Sequence, residues 1–145
     1  MFFGRYEHSI DPKGRLAIPS RHRPSLAAGL VITRGFEPCL FVYPISRWEE
    51  IARKFDGLPT MSQDDVSNFE RYLFAEAVDC TPDRQGRVLI PTYLLDHAHL
   101  SDKAIVAGVR DHLEVWNPDA YTQKNTVLER DPKALAQGLS QYGIL

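Results

Sequence analysis

Asp11, Gly14 and Arg15 occupy the first, fourth and fifth positions of Asp11-Pro12-Lys13-Gly14-Arg15, and the same types return 72 residues later in Asp83-Arg84-Gln85-Gly86-Arg87. Aspartate can bond the backbone two residues on, proline fixes φ near its turn value, and glycine takes positive φ without steric cost. Each segment therefore reads as a tight turn. That turn chemistry does not ask for arginine at the fifth position, nor for Lys13 at the third. In a single copy the arginine could simply pair with the aspartate and pin two strands together. The duplication, however, keeps Asp, Gly and Arg while the apolar residues beside them drift, from Leu16-Ala17-Ile18 to Val88-Leu89-Ile90. Two arginine-bearing loops in one pseudo-symmetric unit point to a surface that touches a polyanion twice. Arginine and lysine hold phosphates, and a bidentate arginine can read guanine in the major groove. The copies differ in that Gln85 stands where Lys13 does and Arg84 replaces Pro12, which moves a positive charge one position along the loop.

A formal net charge of −2 argues against a chain that clings to nucleic acid over its whole surface. Its distribution is uneven. Residues 1–35 hold Arg5, Lys13, Arg15, Arg21, Arg23 and Arg34 against Glu7 and Asp11, a local excess of +4. The remainder is acidic, the asymmetry expected of a local anion-binding face. Other chemistries find little support. The five histidines are scattered, and the one close pair, His97-x-His99, has no third ligand at a metal-site spacing. No nucleophile elbow, phosphate loop or dinucleotide fingerprint appears. The expectation is a protein that is not an enzyme, with no metal, no other cofactor and no small-molecule substrate. Cys39 and Cys80 read as buried free thiols in a reducing compartment. No apolar run approaches the roughly 18–20 residues that span a bilayer. Met1-Phe2-Phe3-Gly4-Arg5 lacks the apolar region and cleavage site of a signal peptide, so a cytoplasmic protein with no membrane partner is expected.

The elements that must carry the loops follow from apolar periodicity. Across 145 residues, 43% hydrophobic and 25% charged, composition is that of one folded domain. Tyr6, His8 and Ile10 alternate with Arg5, Glu7 and Ser9, a strand entering the first turn; Arg15 to Ile18 leaves it as a second strand, ended by Pro19. Ser20 should cap a short helix to Ala28, stopped by Gly29. Leu30–Thr33 and Cys39–Tyr43 form a hairpin around Gly35-Phe36-Glu37-Pro38. Ser46-Arg47-Trp48-Glu49 has the form of a capping box for a helix that Gly57 and Pro59 end. Ser62-Gln63-Asp64-Asp65 should cap a second connecting helix with the stripe Val66, Phe69, Leu73 and Ala77. Copy two repeats the pattern. Ala77–Cys80, Arg87–Ile90, Ala104–Val109 and Leu113–Trp116 are strands, Thr92–Ala98 is the short helix, and Asn117 starts a last helix to about Glu129. Tyr43 and Trp116 hold matching positions and read as core. Lys133–Leu145 is expected to fray unless a neighbour holds it. The organisation is repeat one at 5–47, connecting helices at 48–75, repeat two at 76–120, and a C-terminal helix and tail at 121–145. Neither copy alone has strands enough to cover a core. Two copies interleaved could close a barrel and remove their edges.

The opening Met1-Phe2-Phe3-Gly4, the Asp11–Arg15 motif, its Asp83–Arg87 repeat and the Leu40-Phe41-Val42-Tyr43-Pro44 run together resemble the bacterial MraZ family over nearly the whole chain. The resemblance implies a mainly β fold with α-helices, a pseudo-two-fold double-split β-barrel made of two AbrB/SpoVT-like swapped-hairpin repeats with flanking helices. It implies a sequence-specific, DNA-binding transcriptional regulator that assembles into a homo-oligomeric ring. Its partner would be double-stranded DNA, at short direct repeats upstream of the division and cell-wall gene cluster, in the cytoplasm on the nucleoid. The family's DNA contacts map onto Arg15 and Arg87, with Lys13 as the natural helper. Our own reading adds Arg84 as a contact, with Asp11 and Asp83 orienting the loops and Gly14 and Gly86 letting them turn. Repeating modest basic loops around a ring gives avidity from weak contacts. The competing reading is a ring-forming protein-interaction module without direct DNA contact, its Arg15 and Arg87 paired internally to aspartates.

Overall fold

The computed structural model describes residues 1–58 and 63–144. Copy one supplies β1 (Arg5–Ser9), β2 (Arg15–Ala17), β3 (Leu30–Arg34) and β4 (Cys39–Pro44). Copy two supplies β5 (Val78–Cys80), β6 (Arg87–Leu89), β7 (Lys103–Val109) and β8 (His112–Trp116). The short helices are α1 (Arg23–Leu26), entered through a 3-10 turn at Ser20–His22, and α4 (Thr92–His97). Between the copies lie α2 (Ile45–Asp56) and α3 (Gln63–Leu73), and after them α5 (Pro118–Leu128) and α6 (Pro132–Ser140). The fold is mixed α/β and its sheets are antiparallel. One has six strands in the order β1-β7-β8-β4-β3-β5, and the other is a ribbon of β2 and β6.

Each strand–turn–strand unit opens rather than closing on itself. β1 and β2 meet at the bridge Ile10↔Leu16, then part: β1 pairs with β7 of the other copy, β5 pairs with β3, and β2 pairs with β6. The registers reveal the symmetry. In the ribbon Leu16 faces Val88, its own repeat mate, flanked by Arg15↔Leu89 and Ala17↔Arg87. In the sheet Phe41 faces its mate Glu114, flanked by Leu40↔Val115 and Val42↔Leu113. A pseudo-two-fold axis relating the copies passes between each of these central pairs.

Alternation along the strands sends Leu30, Ile32, Leu40 and Val42, with Val106, Leu113 and Val115, to one face of the sheet. The ribbon's Leu16 and Val88 and the following Ile18 and Ile90 meet them, and Leu26 and Leu94 from the short helices close the sides. Each such side chain contributes about 1.5–3 kcal/mol on leaving water, so this shared core is what binds the copies together. The opposite face carries a second cluster of Cys39, Phe41, Ile105 and Trp116, with Tyr43 and Tyr121 against it. Over one end of that face α2 and α3 pack through aromatics. Phe55 stacks on Phe69 at 5.7 Å, Trp48 meets Phe74 at 4.9 Å, and Thr33 Oγ1 donates to the Leu73 carbonyl at 2.6 Å. Both cysteines are free. Burial pushes the Cys39 thiol up to about 12, while Cys80 is half-buried.

Several local expectations are corrected. α2 starts at Ile45 with Pro44 in the cap position, so Ser46 lies inside the first turn and no side-chain bond caps the helix. Proline, with its fixed φ, sets the helix entry two residues ahead of the cap position that the Ser-x-x-Glu signal marked. Ser20 likewise lies inside the 3-10 turn, behind Pro19. The Ser62 cap and the Pro59 stop fall outside the described residues. Ala77 lies beyond the end of α3. The segment expected to fray forms α6: Asp131 caps it by accepting from Ala134 N at 3.0 Å, and Pro132 enters its first turn. Asp-Pro here is a start signal rather than a terminator. α5 runs from its Asn117 cap as read, but it is not the last helix.

On the outer face His112 stacks on Tyr43 (5.0 Å) and meets Phe41 edge-on (4.9 Å), with Nδ1 2.8 Å from Asp111 and Nε2 3.5 Å from Glu114. Asp111 also accepts from Arg47 Nε of α2 at 2.8 Å. Burial pushes the imidazole pKa down, but the Glu114 and Asp111 carboxylates beside it outweigh burial and leave the pKa raised. A raised folded pKa stabilises the fold below the unfolded value of about 6.5, and that contribution disappears as pH rises through the folded value. His8, lowered first by burial and then by Arg23, works in the opposite sense. The difference between wild type and His112→Gln in urea midpoint should therefore be largest near pH 6 and shrink by pH 8.5. An equal difference at both pH values would rule out a protonated His112.

Candidate nucleic-acid interface

The two motif loops sit at opposite ends of the β2–β6 ribbon and are built alike. In the first, Asp11 Oδ1 accepts from Lys13 N and Arg15 N, each at 2.9 Å, and Oδ2 accepts from Arg15 Nε at 2.6 Å. Gly14 N donates to the Asp11 carbonyl at 2.9 Å and takes φ +87°. In the second, Asp83 Oδ1 accepts from Gln85 N and Arg87 N at 2.9 Å, Oδ2 from Arg87 Nε at 3.1 Å, and Gly86 has φ +74°. Both carboxylates lie below the ordinary range. For Asp11 the chief cause is the Arg15 backbone N–H, for Asp83 that of Arg87. Each aspartate thus shapes its turn with one oxygen and aims an arginine with the other.

The loops are tied across the pseudo-two-fold axis. Ile90 N donates to the Gly14 carbonyl at 2.9 Å and Ile18 N to the Gly86 carbonyl at 2.8 Å. Since cross-strand neighbours share a face, the ribbon turns Leu16 and Val88 into the core and presents Arg15, Ala17, Arg87 and Leu89 outward. Asp11 also draws in the arginine of the other loop, with Arg87 Nη1 3.7 Å from Asp11 Oδ2. Each guanidinium is gripped through Nε, one of its five donors, and keeps about a third of its side-chain surface exposed (35% for Arg15, 30% for Arg87). A guanidinium held by one edge can still present its Nη edge to a phosphate or a base.

The sequence-predicted residues Asp11, Lys13, Gly14 and Arg15 lie in one loop and Asp83, Arg84, Gly86 and Arg87 in the other, and the ribbon joins the two sets. One further cation was missed. Arg23, on α1, donates through Nε to the Ile18 carbonyl at 3.0 Å and packs on the second loop. A Cβ added at Gly86 would meet Arg23 Nε at 2.2 Å. A small cleft of about 200 Å³ beside that loop is lined by Arg23, Ala27, Pro82, Asp83, Arg84 and Gly86. The repeat mate of Arg23 is Leu95, which backs Gly14 in the same way. Placing the copies in register with the 72-residue offset could have found it. Arg23 stands where the other half has an apolar residue.

His97 is engaged through its ring and His99 through its backbone. His97 Nε2 lies 3.2 Å from the Glu37 carbonyl, and the His99 carbonyl accepts from Asn117 at 2.9 Å.

The sequence matches the model of one protein family, described as "MraZ protein, putative antitoxin-like", over residues 1–67 and 73–134. It is 47% identical over 141 residues to a protein of Roseiflexus sp. (strain RS-1) named "Transcriptional regulator MraZ", covering 97% of this chain and 98% of that protein. Proteins of the same name from Pediococcus pentosaceus and Thermomicrobium roseum are 40% and 41% identical, covering 99% and 97% of this chain and 100% and 98% of theirs.

Proposed function

This chain belongs to the MraZ family. From that premise we propose that it is a transcriptional regulator, not an enzyme, that binds duplex DNA through the outward face of the β2–β6 ribbon and the two loops that flank it. The six-stranded sheet and the ribbon are read as a double-split barrel of the AbrB/SpoVT type, organised as the two interleaved repeats. The regulator works as a ring of identical subunits in the cytoplasm, on the nucleoid, at short direct repeats upstream of the division and cell-wall gene cluster.

The observation that carries this reading is the pair of aspartate-held arginines on one exposed ribbon face. A two-stranded ribbon fits the major groove, and Arg15 and Arg87 have the geometry to address guanine from it. Lys13 and Arg84 at the loop tips, with Arg23 behind the second loop, are the natural phosphate contacts. Asp11 and Asp83 orient and do not touch DNA.

The Asp–Arg pairs also favour the rival reading, a protein-interaction module whose arginines are satisfied internally. Binding of the chain to duplex DNA from upstream of its own gene, titrated with salt, separates the two. On the DNA reading log K falls linearly with log salt concentration, and Lys13→Ala or Arg84→Ala flattens the slope by about one unit each. Those variants should weaken all sequences about equally. Absence of retention at low salt, or slopes unchanged in both variants, favours the protein-interaction module.

A further inference from the structure

We propose that Leu89 is a specificity-determining residue of the ribbon, reading the 5-methyl group of a thymine beside the guanine addressed by Arg15; this rests on the DNA-binding reading above. A lone exposed leucine means little by itself. This one is 58% exposed, at one end of the ribbon on the face that carries both arginines. It pairs directly with Arg15 across the ribbon, and its Cδ1 would lie 3.9 Å from a Cβ placed on Gly14, so it leans against the first loop.

The contrast with its surroundings is informative. The neighbouring ribbon positions, Leu16 and Val88, are buried in the core. The repeat mate of Leu89 is Ala17, so a large apolar group projects on one side of the pseudo-two-fold axis only. Neither fold symmetry nor core packing requires a leucine there. Its cost in water is recovered if the ribbon docks on a surface with an apolar group at that point. In the major groove the only such group on a base pair is the thymine methyl.

The spacing fits. Directly opposed side chains on an antiparallel pair start about 4.5–5.5 Å apart, against a base-pair rise of about 3.4 Å. With Arg15 on a guanine, Leu89 falls over a base one or two steps away. Ala17, opposite Arg87, is too short to make the same contact at equal depth, so the two halves of the ribbon read their base pairs unequally.

The test compares upstream duplex DNA with the same duplex made with uracil in place of every thymine, using wild type, Leu89→Ala and Leu89→Met. Thermal melts and oligomer size of the variants are measured alongside. Burying one methyl corresponds to about fourfold in affinity. Wild type should prefer the thymine duplex by about that factor per contacted methyl, Leu89→Met should keep the preference, and Leu89→Ala should bind both duplexes alike. Wild type binding both duplexes equally overturns the inference while leaving the DNA reading intact, and so does Leu89→Ala retaining the preference. Loss of oligomer size in Leu89→Ala with the preference unchanged assigns the leucine to contacts between copies and overturns it too. If wild type binds neither duplex, the DNA reading and this inference fall together.

Discussion

The Arg15→Ala/Arg87→Ala double variant should lose about 30-fold to more than 10⁴-fold in affinity for upstream duplex DNA, with its thermal melt and oligomer size close to wild type. A base-reading arginine is worth about 1–3 kcal/mol, so two give about 2–6 kcal/mol per subunit. The fold should survive because both side chains stand on the outer face of the ribbon, and exposed ion pairs add little to stability. The backbone bonds that define each turn, from Lys13, Arg15, Gln85 and Arg87 N–H to the aspartates, do not need the guanidinium. Affinity should fall further than a simple loss of contacts, since Asp11 and Asp83 would then face phosphate without their arginines. Asp11→Asn sharpens the point. Its amide oxygen can keep the turn bonds, but its NH2 group opposes Arg15 Nε, donor against donor, so the loop persists while the arginine is no longer aimed. Discrimination between upstream and unrelated DNA should drop while affinity for unrelated DNA holds or rises. A double variant that binds like wild type would make the paired arginines structural and move the interface elsewhere.

Gly108→Ala should destabilise the fold by about 3 kcal/mol, lowering Tm by roughly 10 °C. Gly108 lies in β7 where the N-terminal segment crosses it. A Cβ there would meet Phe3 N at 2.2 Å, Phe3 Cα at 2.5 Å and Phe2 C at 2.7 Å, all backbone, so no rotamer change relieves the clash. The crossing segment is held by Gly108 N to the Gly4 carbonyl and by the reciprocal Phe2–Arg110 pair, each at 2.8 Å. Pushing it off would expose Phe2, which is buried in the shared core, and break the contact between the buried His22 Nε2 and the Phe3 carbonyl at 3.0 Å. Arg21 would also lose its seat 4.0 Å over the Phe3 ring. Gly138→Ala is the matched control. No atom lies within 4 Å of its Cβ position in the exposed helix α6, so helicity should rise and the melt should not fall. Denaturation of the two variants side by side measures this. An unchanged midpoint for Gly108→Ala would mean that Phe2–Gly4 does not lie across β7 in solution.

The two predictions differ in where their evidence could be read. The motif loops were legible because their chemistry is local: every bond that shapes them spans two to four residues, and the residue types announce it. The strands were legible for a related reason, since a period of two fixes which side chains share a face. Helix starts were read less well. Ser46 and Ser20 promised caps, but Pro44 and Pro19 stand at those entries, and Asp131-Pro132 opened a helix where an end was expected.

What the sequence determined by itself, then, is the turn chemistry, the duplication, the inward and outward faces of the strands and, through family resemblance, the class of protein. Beyond the β3–β4 and β7–β8 hairpins, only the tertiary structure decided which strand each strand pairs with. Alternation specifies a face but not a partner, so β1 could close on β2 or exchange to β7, and the shared core that exchange creates settles the matter. From that choice follow the features no local pattern contained: Arg15 opposite Leu89, Arg23 against Gly86, His22 buried where its mate is Leu94, and Phe2 laid over Gly108. Each joins residues far apart in the chain, and their proximity is a consequence of packing that neighbouring residue types do not encode.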